Sequence, residues 1–279
     1  MFKASGSKRL PGHVTDTQCR PDIVAAFESD WEKEKKAVVS WPFVRLAGEQ
    51  ATLGKNCGEQ KIQAISYLHY LLLARPDLYV VQGVLISKSS VKFLFGVGGR
   101  GVWEYDANWN NPDLYKFLYG FIYRLYDPGH FADSLYIGTE FDKDTAVTYT
   151  INITTPEGMK TCCGFYPVYA KNPFTSRTHV LSNPNSKLQI NGNNLTVLKD
   201  QLCWIKRRFK EYTILNDYVH QSERVPGVVV ATHGEEIMCP HSGERCKHRL
   251  GLEENGLPFM GISTLYNVLE TLFDILEGI

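Results

Sequence analysis

Leu195-Thr196-Val197-Leu198-Lys199 is the stretch around which the second half of the chain is organised. It is apolar and partly β-branched, which predicts a strand with Lys199 at its end. A helix is predicted directly after it, over Gln201 to His220, with Glu211 inside Arg207-Arg208-Phe209-Lys210-Glu211-Tyr212. On spacing alone the two charges read as a solvated lysine and an exposed helix carboxylate. Downstream, Pro226-Gly227 turns the chain into a strand from Val228 to Thr232, and a polar loop carries Cys239 to Cys246. His248 to Leu252 is a further strand, and Ser263 caps a last helix running to Leu276. Upstream, Asn172 to Asn185 is loop-rich, and Thr154-Thr155-Pro156-Glu157-Gly158 marks a domain boundary.

The first half reads as strands flanked by two helices. Asp22 to Phe27 is a short strand, Glu28 to Lys36 a charged hairpin tip or loop, and Ala37 to Gly48 a second strand. Gln60 to Arg75 places Ile62, Ile65, Leu68, Leu71 and Leu72 at helical spacing, and Arg75-Pro76 stops the helix. Leu78 to Ser87, Val91 to Val97 and Val102 to Tyr105 alternate as an antiparallel meander. A helix follows from Asn111-Pro112-Asp113 to Tyr126, then a strand from Thr145 to Ile153. The expected fold is α+β: residues 1–155 form a mixed sheet with flanking helices, and residues 156–279 a lobe of antiparallel strands with one helix.

Composition narrows the function. The 279 residues are 43% hydrophobic and 22% charged, with thirty basic and thirty acidic side chains. A net charge of zero gives no global field to gather nucleic acid or an acidic membrane. No apolar run reaches spanning length and the polar N-terminus has no signal region, so an intracellular protein of cytoplasm or nucleus, without a membrane, is expected. Seven cysteines, an odd number, fit a reduced compartment.

Two local motifs have bland readings. Gly96-Val97-Gly98-Gly99-Arg100-Gly101 matches a dinucleotide-binding pattern, yet the next segment reads as a strand where a phosphate loop needs a helix. A tight β-hairpin is expected there. Cys239, His241, Cys246 and His248 offer four zinc-capable side chains within ten residues. Their spacing is not that of a common finger, and a loop with reduced cysteines is preferred to zinc.

Several blocks, taken in order, resemble the fungal-type protein kinase family. They are Val197-Leu198-Lys199-Asp200, the Arg-Phe-Lys-Glu segment, Val225-Pro226-Gly227-Val228, Cys246-Lys247-His248-Arg249-Leu250 and Asn255-Gly256-Leu257-Pro258. Arg20-Pro21-Asp22-Ile23-Val24, Trp41, Gln63 with Tyr67, and Arg75-Pro76 resemble the region preceding the kinase lobe in that family. The resemblance implies a kinase N-lobe entering a second lobe, with Lys199 touching nucleotide phosphates and Glu211 holding it. ATP with magnesium is the ligand it implies. No Asp-Phe-Gly occurs, His248-Arg249-Leu250 has only two letters of a histidine-arginine-aspartate loop, and the chain ends in the helix that would precede that loop. A truncated, inactive pseudokinase acting by nucleotide or protein binding is therefore expected.

The first half has a second resemblance. Asp22, Glu49, Gln63 and Tyr67 resemble the spacing of a PD-(D/E)xK nuclease core, in which two carboxylates hold a divalent metal. The tripeptide is Glu49-Gln50-Ala51, with alanine where the lysine belongs, and Lys55 lies four residues on. A nuclease-like fold with a decayed site is expected, leaving nucleic acid as a partner of this domain. A metal-dependent nuclease and a zinc-stabilised interaction protein are the alternatives.

Overall fold

The computed structural model describes residues 2–4, 9–11, 13, 19–33, 39–51, 57–142, 146–207, 210–221, 223–224, 228–239 and 244–254. The chain forms two compact units, Met1–Val147 with Tyr169–His179, and Thr148–Val168 with Val180–Ile279.

The first unit is built on a six-stranded mixed sheet. Its order is β1 (Phe2–Ala4), β2 (Ile23–Ala25), β3 (Leu46–Gln50), β4 (Val80–Ile86), β5 (Ser90–Val97) and β6 (Gly101–Asn108). A short helix, α1 (Glu28–Lys33), follows β2, and β7 (Tyr136–Asp142) follows the last helix of the unit. Strands β3 and β4 run parallel, from Leu46↔Gln82 to Gln50↔Ile86. Parallel neighbours need a crossover, and α2 (Cys57–Ala74) supplies it.

Successive strand residues point to opposite faces. Val24, Ala47, Leu85 and Leu94 pack with Tyr67, Leu68, Leu71 and Leu72 of α2. Their chain neighbours Ala25, Leu46, Val84 and Phe93 pack with Leu114, Phe121 and Leu125 of α3 (Leu114–Tyr126). Both faces are covered, which is why β4 is nearly continuous in apolar residues. Burial of each large α2 side chain contributes about 1.5–3 kcal/mol. Gln82, buried within β4, donates its amide to the Phe121 carbonyl at 2.9 Å.

The last carbonyls of a helix have no partner within it. For α2, Arg177 fills the gap. Its Nη2 donates to Leu72 O at 2.8 Å and Arg75 O at 2.6 Å, and its Nη1 donates to Leu78 O. His179 Nε2 lies 3.1 Å from Leu73 O.

The second unit takes its strands from a large antiparallel sheet, in which they stand in the order β14 (Ala231–Met238), β15 (Arg245–Leu252), β13 (Val197–Trp204), β10 (Thr178–Ser182), β9 (Gly158–Ala170) and β8 (Ala146–Thr155). A separate hairpin, β11 (Gln189–Ile190) and β12 (Asn193–Asn194), turns on Asn191 and Gly192, whose φ values are +53° and +82°. Asparagine followed by glycine suits a two-residue turn with both φ positive. Between β13 and β14 lie one helical turn, α4 (Glu211–Thr213), and a π-helical turn over Ile214–Val219. Among the described residues no helix is long and apolar enough to cross a membrane.

Several elements differ from expectation. The charged Glu28 segment is helical through Lys33, neither a hairpin tip nor a loop. Within Ala37 to Gly48, Trp41–Phe43 is a 3-10 turn, and the strand begins only at Leu46. The helix expected from Gln201 does not form there. Gln201 to Trp204 instead extend β13, pairing with His248 to Arg245, and helix starts ten residues later at Glu211. Apolar spacing at Leu202, Ile205 and Phe209 permitted a helix, but cross-strand pairing overrides local preference. Residues 136–142 and the long hairpin strand at 158–170 escaped the sequence reading. The strand expected from Val228 starts at Ala231. Expectations for residues 225–227, 240–243 and 255–279, including the Ser263 helix, lie outside the described residues, as does Lys55.

An added Cβ at Gly48 would lie 2.7 Å from the Val84 carbonyl oxygen, a backbone atom that has no rotamer with which to yield. Gly48→Ala is therefore expected to cost about 1–3 kcal/mol, by overpacking. At Gly120, in the middle of α3, an added Cβ meets nothing within 4 Å. Thermal melts followed by circular dichroism should show Gly48→Ala lowering Tm by several degrees and Gly120→Ala not lowering it.

Candidate functional site

The pairing of β13, β15 and β14 decides which side chains meet in the second unit. Lys199, Gln201 and Cys203 stand opposite Leu250, His248 and Cys246 of β15. Gly234, Glu236 and Met238 of β14 stand opposite the same three β15 residues. Directly opposed residues share a face, so these nine form one surface. The α4 segment lies over it: an added Cβ at Gly234 would meet the Tyr212 ring at 2.5 Å, so that close approach requires glycine.

A cavity of about 240 Å³ opens between the sheet and this segment, lined by Lys199, Gln201, Arg207, Lys210, Glu211, Glu236 and His248 among others. Lys199 Nζ donates to both carboxylate oxygens of Glu211, at 2.8 and 2.6 Å. Both side chains are partly exposed, 26% for Lys199 and 39% for Glu211, so the pair orients the lysine more than it stabilises the fold. Glu211 also sits at the first residue of α4, where the helix end favours an anion. Lys210 pairs with Glu236. Arg207 Nη1 donates to Gln201 Oε1 at 3.2 Å.

The opposite face of the same strands is dry and ionic. Asp200 and Arg249 stand directly opposed. The guanidinium donates through Nε to Oδ1 and through Nη2 to Oδ2, each at 2.8 Å. Nη1 reaches Asn152 O at 3.2 Å and Glu235 Oε1 at 3.4 Å. Lys247 Nζ lies 3.5 Å from Asp200 Oδ2. Arg249 is only 1% exposed, so the His248-Arg249-Leu250 motif holds a structural arginine on a strand.

Of the four zinc-capable residues, Cys246 and His248 come together on β15, and Glu236 joins them from β14, with all three donor atoms within 4.8 Å of one another. Cys239 is buried just past β14 but is not in that group, and His241 lies outside the described residues. Burial, then Glu236 and the neighbouring Cys203 and Cys239 thiols, pushes the Cys246 thiol up to about 11. Burial lowers the His248 pKa against the opposing pull of Glu236, so the imidazole is neutral at pH 7.

In the first unit, three of the four residues singled out by sequence, Glu49, Gln63 and Tyr67, meet, and Asp22 bonds to the residue after Glu49. Tyr67 and Gln63 lie one turn apart on α2, and Gln63 Nε2 donates to the Tyr67 oxygen at 2.6 Å. The Tyr67 hydroxyl lies 2.9 Å from Glu49 Oε2 and 3.1 Å from the Arg20 carbonyl. Burial and the contact with Glu49 raise the phenol pKa, outweighing the Gln63 bond. Asp22 Oδ2 accepts from Gln50 N at 3.2 Å, one residue past the Ile23↔Gly48 pair of β2 and β3. The glycine-rich stretch forms the expected hairpin, turning at Gly98–Arg100 with Gly99 at φ +73°.

Comparison with known protein families, with curated proteins and with solved structures finds no match. The sequence reading missed Arg207 and Lys210 because it placed them within a helix, and it missed Glu236 because β14 was ended too early. No apolar alternation marks Ala-Thr-His-Gly-Glu-Glu-Ile-Met as a strand; the alternating exposure, with His233 buried and Gly234 exposed, Glu235 half-buried and Glu236 exposed, appears only in the folded chain.

Removing one partner from a buried ion pair leaves the other charge uncompensated. Asp200→Ala should therefore cost about 3–5 kcal/mol in urea denaturation. Asp113→Ala, which breaks an exposed pair with Lys116, should cost no more than about 1 kcal/mol.

Proposed function

We propose that the second unit binds the phosphates of a nucleotide, ATP with magnesium by preference, through Lys199 held by Glu211, and acts by binding rather than by phosphotransfer. The observation that carries this reading is the two-oxygen contact of Glu211 on Lys199 at the wall of a cavity. A strand lysine steadied by a carboxylate on the following helix is the arrangement kinases use to grip phosphates. Lys199, Arg207 and Lys210 supply cationic donors to a polyphosphate, and 240 Å³ accommodates phosphates better than a whole enclosed nucleotide. The resemblance to fungal-type kinases supports the same assignment. The departures argue against catalysis. Arg249 of the histidine-arginine motif is committed to Asp200.

A fluorescent ATP analogue with magnesium should bind saturably, and Lys199→Met should abolish binding while Lys116→Met leaves it intact. Saturable binding of equal strength in Lys199→Met would overturn the assignment. Lys199-dependent transfer of phosphate to a generic substrate would overturn the absence of catalysis.

The meeting of Glu49, Gln63 and Tyr67, with Asp22 bonded to Gln50 next to Glu49, favours a second reading, a PD-(D/E)xK-like domain that contacts nucleic acid. With Ala51 at the lysine position, strand cleavage is expected to be absent. Magnesium-dependent nicking of plasmid DNA that disappears in both Asp22→Ala and Glu49→Ala would show instead that the domain is a working nuclease.

A further inference from the structure

We propose that Glu236, Cys246 and His248 form a binding site for a divalent transition-metal ion of the zinc type, on the wall of the cavity that also holds Lys199. Glu236 and His248 are directly opposed across β14 and β15. Cys246 is two residues along β15 and so points to the same face. Zinc bonds of about 2.0–2.3 Å in a tetrahedron place donors roughly 3.4–3.8 Å apart. His248 Nε2 and Glu236 Oε1 are already 3.8 Å apart. With every donor within 4.8 Å of the others, closure by about 1 Å completes the set.

Two further observations point to a ligand. His248 Nε2 is shielded from solvent and finds no hydrogen-bond partner in the protein. Buried polar atoms without a partner are uncommon and costly, and an ion would supply the missing partner. Cys246 is fully buried and stands directly across the ladder from Cys203, so a second sulfur lies beside the donor set. One thiolate sulfur, one neutral imidazole and one carboxylate select zinc or cobalt over magnesium or calcium. Lys210 holds Glu236 without an ion. Its side chain is 44% exposed, and a carboxylate has acceptor sites enough for both ammonium and metal. Glu236 and His248 line the cavity, so a fourth coordination position opens onto it.

The test is titration of the chelator-treated full chain with Co²⁺. A thiolate-to-cobalt charge-transfer band should saturate at one ion per chain, yield to Zn²⁺, and resist Mg²⁺. Cys246→Ser should abolish the band. His248→Gln should weaken cobalt binding by more than about tenfold. Cys239→Ser should change neither band nor affinity. Circular dichroism confirms that each variant folds, and His248→Gln decides if Cys246→Ser does not. Absence of the band in the wild-type chain, its survival in folded Cys246→Ser, unaltered affinity in His248→Gln, or its loss in folded Cys239→Ser would overturn the proposal.

Discussion

The fork between Arg249 and Asp200 fixes the register on which the second unit depends. A strand alternates faces every residue, so a slip of one position between β13 and β15 would exchange every outward and inward side chain. Arg249 would then turn to the cavity and His248 into the dry face. Two charge-assisted bonds at 2.8 Å, from residues directly opposed, make the native register the one in which neither buried charge is orphaned. Everything on the cavity side follows from that choice: Lys199 beside Glu211, Gln201 beside His248, Cys203 beside Cys246.

The legible part of this arrangement was the pair itself. Lys199 and Glu211 were identified from a strand followed by a helix, and they meet, although the helix is a single turn and the strand is longer than its apolar core. The error and the success have one cause. Sequence periodicity reports which residues prefer to be buried, whereas the end of a strand is set by the partner it pairs with. Gln201 to Trp204 have a partner in Arg245 to His248, 41 to 47 residues away, and local spacing carries no trace of it. The same blindness hid Glu236, a carboxylate whose significance depends on the residue across the ladder. The polar network around Arg249 was equally invisible, because charged residues on a strand read as exposed until the facing strand is known.

Helices α2 and α3 and the β4–β6 meander of the first unit were easier to read, for a physical reason. Helices α2 and α3 bury opposite faces of one sheet, so the strands carry continuous apolar signals and the helices strong periodic ones. Tyr67 is the residue that joins fold to site there. Its ring packs in the α2 core while its hydroxyl meets Glu49 at 2.9 Å, so the helix cannot rotate without moving the carboxylate's donor. A cluster placed by a crossover helix between parallel strands inherits the rigidity of both.

The cap on α2 has a consequence for the order in which this protein can be made. The carbonyls of Leu72, Leu73 and Arg75 receive their partners from Arg177 and His179, which lie 102 to 106 residues downstream. At ordinary rates of synthesis the emerging chain waits roughly 5–20 s between the helix and its cap. During that interval the finished sheet of the first unit carries a helix end facing water, and the segment that closes it arrives only after the long hairpin at 146–170 has left the ribosome. The first unit is thus completed out of order, and its folding is tied to translation of sequence that belongs to its neighbour.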